Sequence, residues 1–224
     1  MKKYMKNTQA KSILYTSIRS PHCLKAAIFL QEKGVPFERV EINLPAKEQK
    51  TPEFLAINPL GLVPVYEDDD GVHPDSLFIM QYLEEKYPEP QLFPKDEKQL
   101  QVALEWIELS SRQVRDVSHH LYWQIIEPPA EGADLQRIAE LKQQGTEILQ
   151  QLDETLAKTK WIMGDAMSVV DIAMIPWIYG YQRFDFPFET DFPDVWDWLT
   201  RLSKRDSFKD NFHKEGRPFF DESP

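Results

Sequence analysis

Ser20-Pro-His-Cys23 is the first stretch of the chain whose residue types could do chemistry. Ser is a favoured helix N-cap and Pro a favoured first helical residue, so the tetrapeptide reads as the opening of a helix. A helix N-terminus presents unpaired N–H groups and the positive end of the macrodipole, which together stabilise an anion such as a thiolate. A hydroxyl there cannot exchange disulfides, but it can donate a hydrogen bond to a bound thiolate; as a plain cap it needs no ligand. Asn58-Pro-Leu-Gly-Leu-Val-Pro64 ends in an X-Pro step ahead of a strand. A cis peptide at that step would turn the Val63 N–H and C=O toward a pocket, whereas an ordinary trans turn would not. Asp75-Ser76 opens another helix. Its hydroxyl, carboxylate and helix amides could clamp an amino-acid headgroup, or the pair could be two N-cap residues in succession. Gly164-Asp-Ala-Met-Ser-Val-Val-Asp171 places Ser168 and Asp171 three apart before an apolar run, a capping box with Asp in place of Glu, whose work is structural.

The elements that must hold these residues follow from periodicity and turn chemistry. Residues 12–16 read as a strand, and Leu24, Ala27, Ile28 and Leu30 recur at helical spacing up to a stop at Gly34. Alternation in the latter part of 36–44 predicts a second strand, 51–56 a short helix and 62–66 a third strand. The acidic Glu67-to-Gly71 turn leads to a fourth strand near Val72-His73, and a helix spans 77–87. Proline-rich residues 88–96 interrupt the pattern and are taken as a linker. Beyond it the chain reads as helices: a long one through Leu100 to Ile125, a second from Leu135 to Leu156, an apolar one over 161–181 bent at Pro176, and a short one over 195–203. The expected fold class is α+β: a βαβαββα domain over 1–87, which the resemblance described below implies is thioredoxin-like, the linker over 88–96, and an all-helical C-terminal domain over 97–224.

Composition narrows the function classes. The 224 residues are 42% hydrophobic and 28% charged, an ordinary globular balance. A net charge of −11 with no compact Lys/Arg cluster argues against nucleic acid as a partner. Residues 2–11 form a polar lead-in without the apolar core of a signal peptide, and no apolar stretch approaches the length of a membrane span. The single cysteine, Cys23, excludes an internal disulfide and fits a cytoplasmic setting. His119 and His120 are adjacent, so on a helix they face different ways, and no ligand-spaced cluster suggests a metal. No Gly-x-Ser-x-Gly elbow is present for a hydrolase.

Taken in order, Ser20-Pro-His-Cys23, Asn58-Pro-x-Gly-x-Val-Pro64, Asp75-Ser76, Gly164-Asp with Ser168-x-x-Asp171, and the segment from Trp196 to Ser203 followed by Arg205 resemble the glutathione transferase superfamily, serine type, from about Ile13 to Phe212. The resemblance implies a catalytic Ser20 that hydrogen-bonds the glutathione sulfur. It further implies that the Val63 backbone pairs with the cysteinyl part, that Asp75 and Ser76 hold the γ-glutamyl end, and that Lys50 meets the glycyl carboxylate. The thiolate would be conjugated to a small, mostly apolar electrophile in a detoxification reaction. Glutathione would be a co-substrate and no prosthetic group would be needed. Ser111, Arg115, His119 and Tyr122, at helical spacing, would line the second-substrate pocket, unless they form an exposed polar stripe. A homodimer is implied as well.

Two other readings stand beside this one. A protein could keep the fold as a non-catalytic binding or regulatory module, which the intact Ser20 argues against. A thiol-redox enzyme would use Cys23, but that residue falls on the apolar side of its helix, where free cysteines behave as small hydrophobes.

Overall fold

The computed structural model describes residues 12–212, arranged as two compact units. The lead-in at 2–11 and the end of the expected helical domain, 213–224, lie outside the described residues.

The first unit takes in residues up to Gln91 and, from far along the chain, those from Asp206 onward. Its strands β1 (Ile13–Thr16), β2 (Glu38–Glu41), β3 (Val65–Asp68) and β4 (Gly71–Pro74) form one sheet in the order β2-β1-β3-β4. β1 runs parallel to β2 and antiparallel to β3, and β3–β4 is a hairpin. Helix α1 (Pro21–Glu32) is the crossover between the parallel strands, α2 (Pro52–Leu55) precedes β3, and α3 (Ser76–Lys86) follows β4. This βαβαββα order is the thioredoxin-like arrangement expected from the sequence.

Strand alternation sorts the sheet's two faces. Ile13, Tyr15 and Val65 cluster with Ile42 and Phe54 of the α2 side, leaving Leu14 and Tyr66 for the face on which α1 and α3 pack together. α1 ends where Gly34 takes a φ of +66°, a conformation glycine adopts without steric cost. Lys33, at its end, is buried and reaches Glu84 and the Pro90 carbonyl, each at 2.6 Å.

The second unit, Leu92–Arg205, is helical. The predicted long helix is present as α4 (Glu97–Leu109) and α5 (Arg115–Leu121), with wider π turns over Ser110–Val114 and Tyr122–Ile126. α6 (Leu135–Leu156) has the predicted bounds, set by Asp134 capping the Arg137 N–H at 3.0 Å. α7 (Val169–Tyr181) is buried at every residue except Gly180. α8 (Phe188–Asp191) and α9 (Pro193–Ser203) complete the unit.

Three expectations need correction. The apolar helix begins at Val169 and not at Trp161. Residues 161–164 instead form a tight turn with Trp161 and Gly164 paired, Gly164 sits at φ +134°, and Ser168 is extended as the cap. The proline-rich segment is also less of a free connector than its composition suggests: the units divide at Gln91/Leu92, Leu92 and Phe93 are buried, and the Leu92 carbonyl accepts the Val169 N–H at 2.9 Å. Finally α10 (Asp206–Phe212), which the sequence reading groups with the helical domain, packs on α1 in the first unit, where Gln31 donates to Asp210 and accepts from Asn211, and Asn211 also accepts from Arg39 of β2.

Candidate active site

The sheet register brings three of the sequence motifs to one end of the sheet. Tyr15, Val65 and Pro74 share a row across β1, β3 and β4. One step further along each strand come Thr16, Pro64 and Asp75, so the β1–α1 turn, the Val63–Pro64 step and the start of α3 meet at the same end of the sheet.

At the β1–α1 turn Ser20 is extended, with φ −105° and ψ 114°, and its N–H donates to the Ser17 carbonyl at 2.9 Å. Its Oγ accepts the Cys23 N–H at 3.4 Å, as an N-cap should. That bond uses a lone pair of Oγ, and the same hydroxyl also hydrogen-bonds the Cys23 thiol. Cys23 itself is fully buried, and burial pushes its thiol up to about 11 despite the hydrogen bonds from Ser20, Ser17 and Thr16. The thiolate form needed for redox chemistry is therefore scarce at neutral pH.

The loop before β3 is braced from within. Asn58, buried, donates its amide to the Leu62 carbonyl at 2.8 Å and accepts the Leu60 N–H at 3.2 Å. Gly61 has φ +58°, and a Cβ there would lie 2.7 Å from the Gln49 carbonyl, so the tight loop needs glycine. Val63–Pro64 is cis, and because β3 begins at Val65 the Val63 backbone precedes the ladder. Lys50 is exposed, with its ammonium 3.2 Å from the Leu60 carbonyl, which keeps the charge beside this loop.

Asp75 caps α3 from a positive φ of +73°, unusual for a residue other than glycine and better tolerated by Asp or Asn than by most. Its Oδ1 accepts the Leu77 and Phe78 N–H groups at 2.9 and 3.2 Å. Ser76 is buried, and its Oγ lies 3.5 Å from Nδ1 of His22 on α1. Sequence reasoning quoted His22 inside a motif without assigning it a place in the site. No local signal could have done so, because the contact arises from the packing of α1 on α3.

The four second-substrate candidates lie in the helical unit and are engaged separately. Ser111 is half-buried within the first π turn. Arg115 holds Asp116 through Nε and Nη2 at 2.9 and 2.7 Å. His119 Nε2 accepts the Trp123 indole N–H at 3.1 Å, and the Tyr122 hydroxyl donates to Glu127. Burial, with the neighbouring His120 and Arg115, holds the His119 imidazolium less acid-stable than usual, its pKa lowered. An open groove of about 550 Å³ in this unit is lined from another side of α5, by Val117, His120, Arg137 and Leu141 among others, and includes none of the four.

The capping box is complete. The Asp171 carboxylate accepts the Ser168 N–H at 2.8 Å, and it also accepts the Ile162 N–H at 3.2 Å. Among the described residues no group of His, Cys, Asp and Glu is arranged to hold a metal, and no helix is long and apolar enough to cross a membrane.

Comparison with known proteins agrees with this geometry. The glutathione S-transferase N-terminal domain family matches residues 14–91 and the corresponding C-terminal domain family matches 114–206. Glutathione S-transferase F10 of Arabidopsis thaliana is 33% identical over 156 residues, covering 68% of this chain and 73% of that protein. Among solved structures, glutathione transferase F7 from Populus trichocarpa superposes with a TM-score of 0.75 at 27% identity, covering 89% of this chain and 97% of that one. The theta class enzyme from Xanthomonas axonopodis pv. citri, solved with glutathione bound, gives 0.78 at 26% identity over 91% and 97%. With both domain families matched in order and a relative of this similarity spanning most of its own length, the chain belongs to the glutathione S-transferase family.

Proposed function

We propose that the protein conjugates glutathione to a small, mostly apolar electrophile, with Ser20 as the residue that activates the thiol. The observation that carries this reading is the Ser20 hydroxyl at the start of α1, where it accepts the Cys23 N–H and would turn its proton from the Cys23 thiol to a bound thiolate. A free thiol has a pKa of about 8.5, so only a few per cent ionises at neutral pH. Lowering that value by roughly two units takes about 2.7 kcal/mol of preference for the thiolate. A hydrogen bond to an anion contributes about 1.5–3 kcal/mol and a helix N-terminus about 0.3–1 kcal/mol, which together reach that size. The sulfur then forms a bond to an electrophilic carbon. Its proton passes to solvent, and either a leaving group departs with the bonding pair or an activated double bond accepts a proton.

In this reading the Val63 N–H and C=O pair with the cysteinyl residue, Asp75 and Ser76 hold the γ-glutamyl headgroup, and Lys50 meets the glycyl carboxylate. Ser111, Arg115, His119 and Tyr122 serve the second substrate. The glutathione-binding domain corresponds to the first unit and the domain serving the second substrate to the helical unit, Leu92–Arg205. Glutathione is a co-substrate and no prosthetic group takes part. The setting is a cytoplasmic homodimer engaged in detoxification.

The test is a calorimetric titration with glutathione of the wild type and of Ser76→Ala. Micromolar-to-millimolar binding, weakened by the substitution, supports the site. Absence of binding at millimolar glutathione overturns it, and binding without turnover of any electrophile in a broad panel replaces the enzyme with a non-catalytic glutathione-binding protein.

A further inference from the structure

We infer that His22 is a positioning residue that aims the Ser76 hydroxyl at the α-carboxylate of the γ-glutamyl group, an inference that rests on the glutathione-site reading above. The argument begins with the supply of donors at the start of α3. The first four N–H groups of a helix have no intrahelical acceptor. Here the Asp75 side chain takes those of Leu77 and Phe78, while the Ile79 N–H already belongs to the intrahelical ladder through the Asp75 carbonyl. Asp75 therefore consumes half of what this helix N-terminus would otherwise offer an incoming carboxylate. The Ser76 N–H and O–H stay outside this side-chain cap.

A serine hydroxyl rotates freely about its C–O bond, and a freely rotating donor contributes less than one whose direction is fixed. His22 Nδ1 stands 3.5 Å from Ser76 Oγ, with Ser76 buried and His22 half-buried. If Nδ1 carries the ring proton, it donates to a lone pair of Oγ and the Ser76 proton must turn away from the imidazole. The opposite tautomer would spend the Ser76 proton on the ring and leave a carboxylate facing a lone pair. The inference thus commits to Nδ1–H as the state that binds glutathione. It also gives the position after Pro21 a function separate from that of Ser20: Ser20 meets the sulfur, and His22 acts through Ser76 on the opposite end of the tripeptide.

The experiment crosses two deletions, one in the protein and one in the ligand. The variants are His22→Leu, which keeps bulk and removes the donor, and His22→Asn, whose amide nitrogen branches from the same carbon as Nδ1. The ligands are glutathione and 4-aminobutyryl-cysteinyl-glycine, which is glutathione without its α-carboxylate. Each is assayed with 1-chloro-2,4-dinitrobenzene, and binding is followed by calorimetry. His22→Leu should raise KM and Kd for glutathione roughly five- to tenfold with kcat changed less than about twofold, the scale of one hydrogen bond. With the decarboxylated tripeptide the same substitution should change nothing, and His22→Asn should recover most of the glutathione affinity. Equal losses with both tripeptides would make His22 a merely structural residue and overturn the inference. Unchanged glutathione affinity in His22→Leu would overturn it too, while leaving the glutathione site intact. A wild type that binds neither tripeptide would sink the site reading and this inference with it.

Discussion

The indole N–H of Trp198 on α9 donates to Oδ1 of Asp171 on α7 at 2.9 Å. The same carboxylate receives the Ile162 and Ser168 N–H groups and the Ser168 hydroxyl, so a fully buried charge is met by donors from three separate segments. Burial raises the Asp171 pKa, and the donors oppose that by favouring the ionised form. Asp171→Ala would strand several buried donors at about 1–3 kcal/mol each, so a loss of about 3 kcal/mol or more is expected in urea unfolding. Trp198→Phe, which removes one donor, should cost about 1 kcal/mol beyond its packing effect. If Asp171→Ala unfolds at the wild-type urea midpoint, the carboxylate is not the organising group of this unit.

Ser20→Ala should lower kcat/KM for glutathione conjugation roughly 10- to 100-fold, since a hydrogen bond to an anion is lost in the step that needs the thiolate. Binding of glutathione should change far less. Because Ser20 also caps α1, about 1 kcal/mol of stability should go with it. The thiol pKa of bound glutathione, read from the ultraviolet thiolate band, should rise in the variant; an unchanged value would remove Ser20 from the chemistry.

Cys23, buried and with its thiol raised to about 11, should react with iodoacetamide in the folded protein far more slowly than after denaturation. Cys23→Ala should keep conjugation within about twofold while losing about 1 kcal/mol of packing. Rapid alkylation under native conditions would reopen the redox reading.

The β3–β4 hairpin is tied to α3 by Lys86, whose ammonium lies 2.8 Å from Asp68 and 2.7 Å from Asp70, with the Tyr82 hydroxyl donating to both carboxylates. Burial alone would raise the Asp68 pKa, but the hydrogen bonds from Lys86, Tyr82 and the Asp70 amide outweigh it and hold the carboxyl at about 2. A folded value below the unfolded one means that this contribution is complete above about pH 4 and is lost as pH falls through about 2. At neutral pH it amounts to roughly 2 kcal/mol, of which about half is gone by pH 3. Lys86→Met should therefore be less stable than wild type at pH 7, with the gap narrowing as acid is added. A gap independent of pH would show that Lys86 acts through packing alone.

Legibility in the sequence followed the range of the forces involved. The start of α1 at Ser20-Pro21, the Asp75 cap and both ends of α6 were readable because a cap, a proline or a period of 3.6 acts within a few residues. The apolar run from Trp161 drew the predicted helix eight residues too early, although the Ser168–Asp171 box already marked its true start. α8, only four residues long, has too little periodicity to be seen. The cap of α9 was out of reach in principle: Phe192 supplies no side-chain oxygen, and the Asp194 and Val195 N–H groups go instead to Asp153 on α6, each at 2.9 Å. For the same reason His22 could be quoted but not placed beside Ser76. The groups of the proposed glutathione site were individually visible; their meeting at one end of the sheet depends on strand register, which no short motif encodes.

The position of α10 has a consequence for biosynthesis. Residues 206–212 lie on α1, so the helical unit is topologically an insertion within the first one. A ribosome delivers the strands, α1 and the whole helical unit before it delivers the helix that covers α1. The nascent first unit therefore waits, with that flank of α1 bare, until residues 206–212 have been made. Chaperone occupancy or aggregation on stalled chains should be greatest in the interval before α10 leaves the exit tunnel.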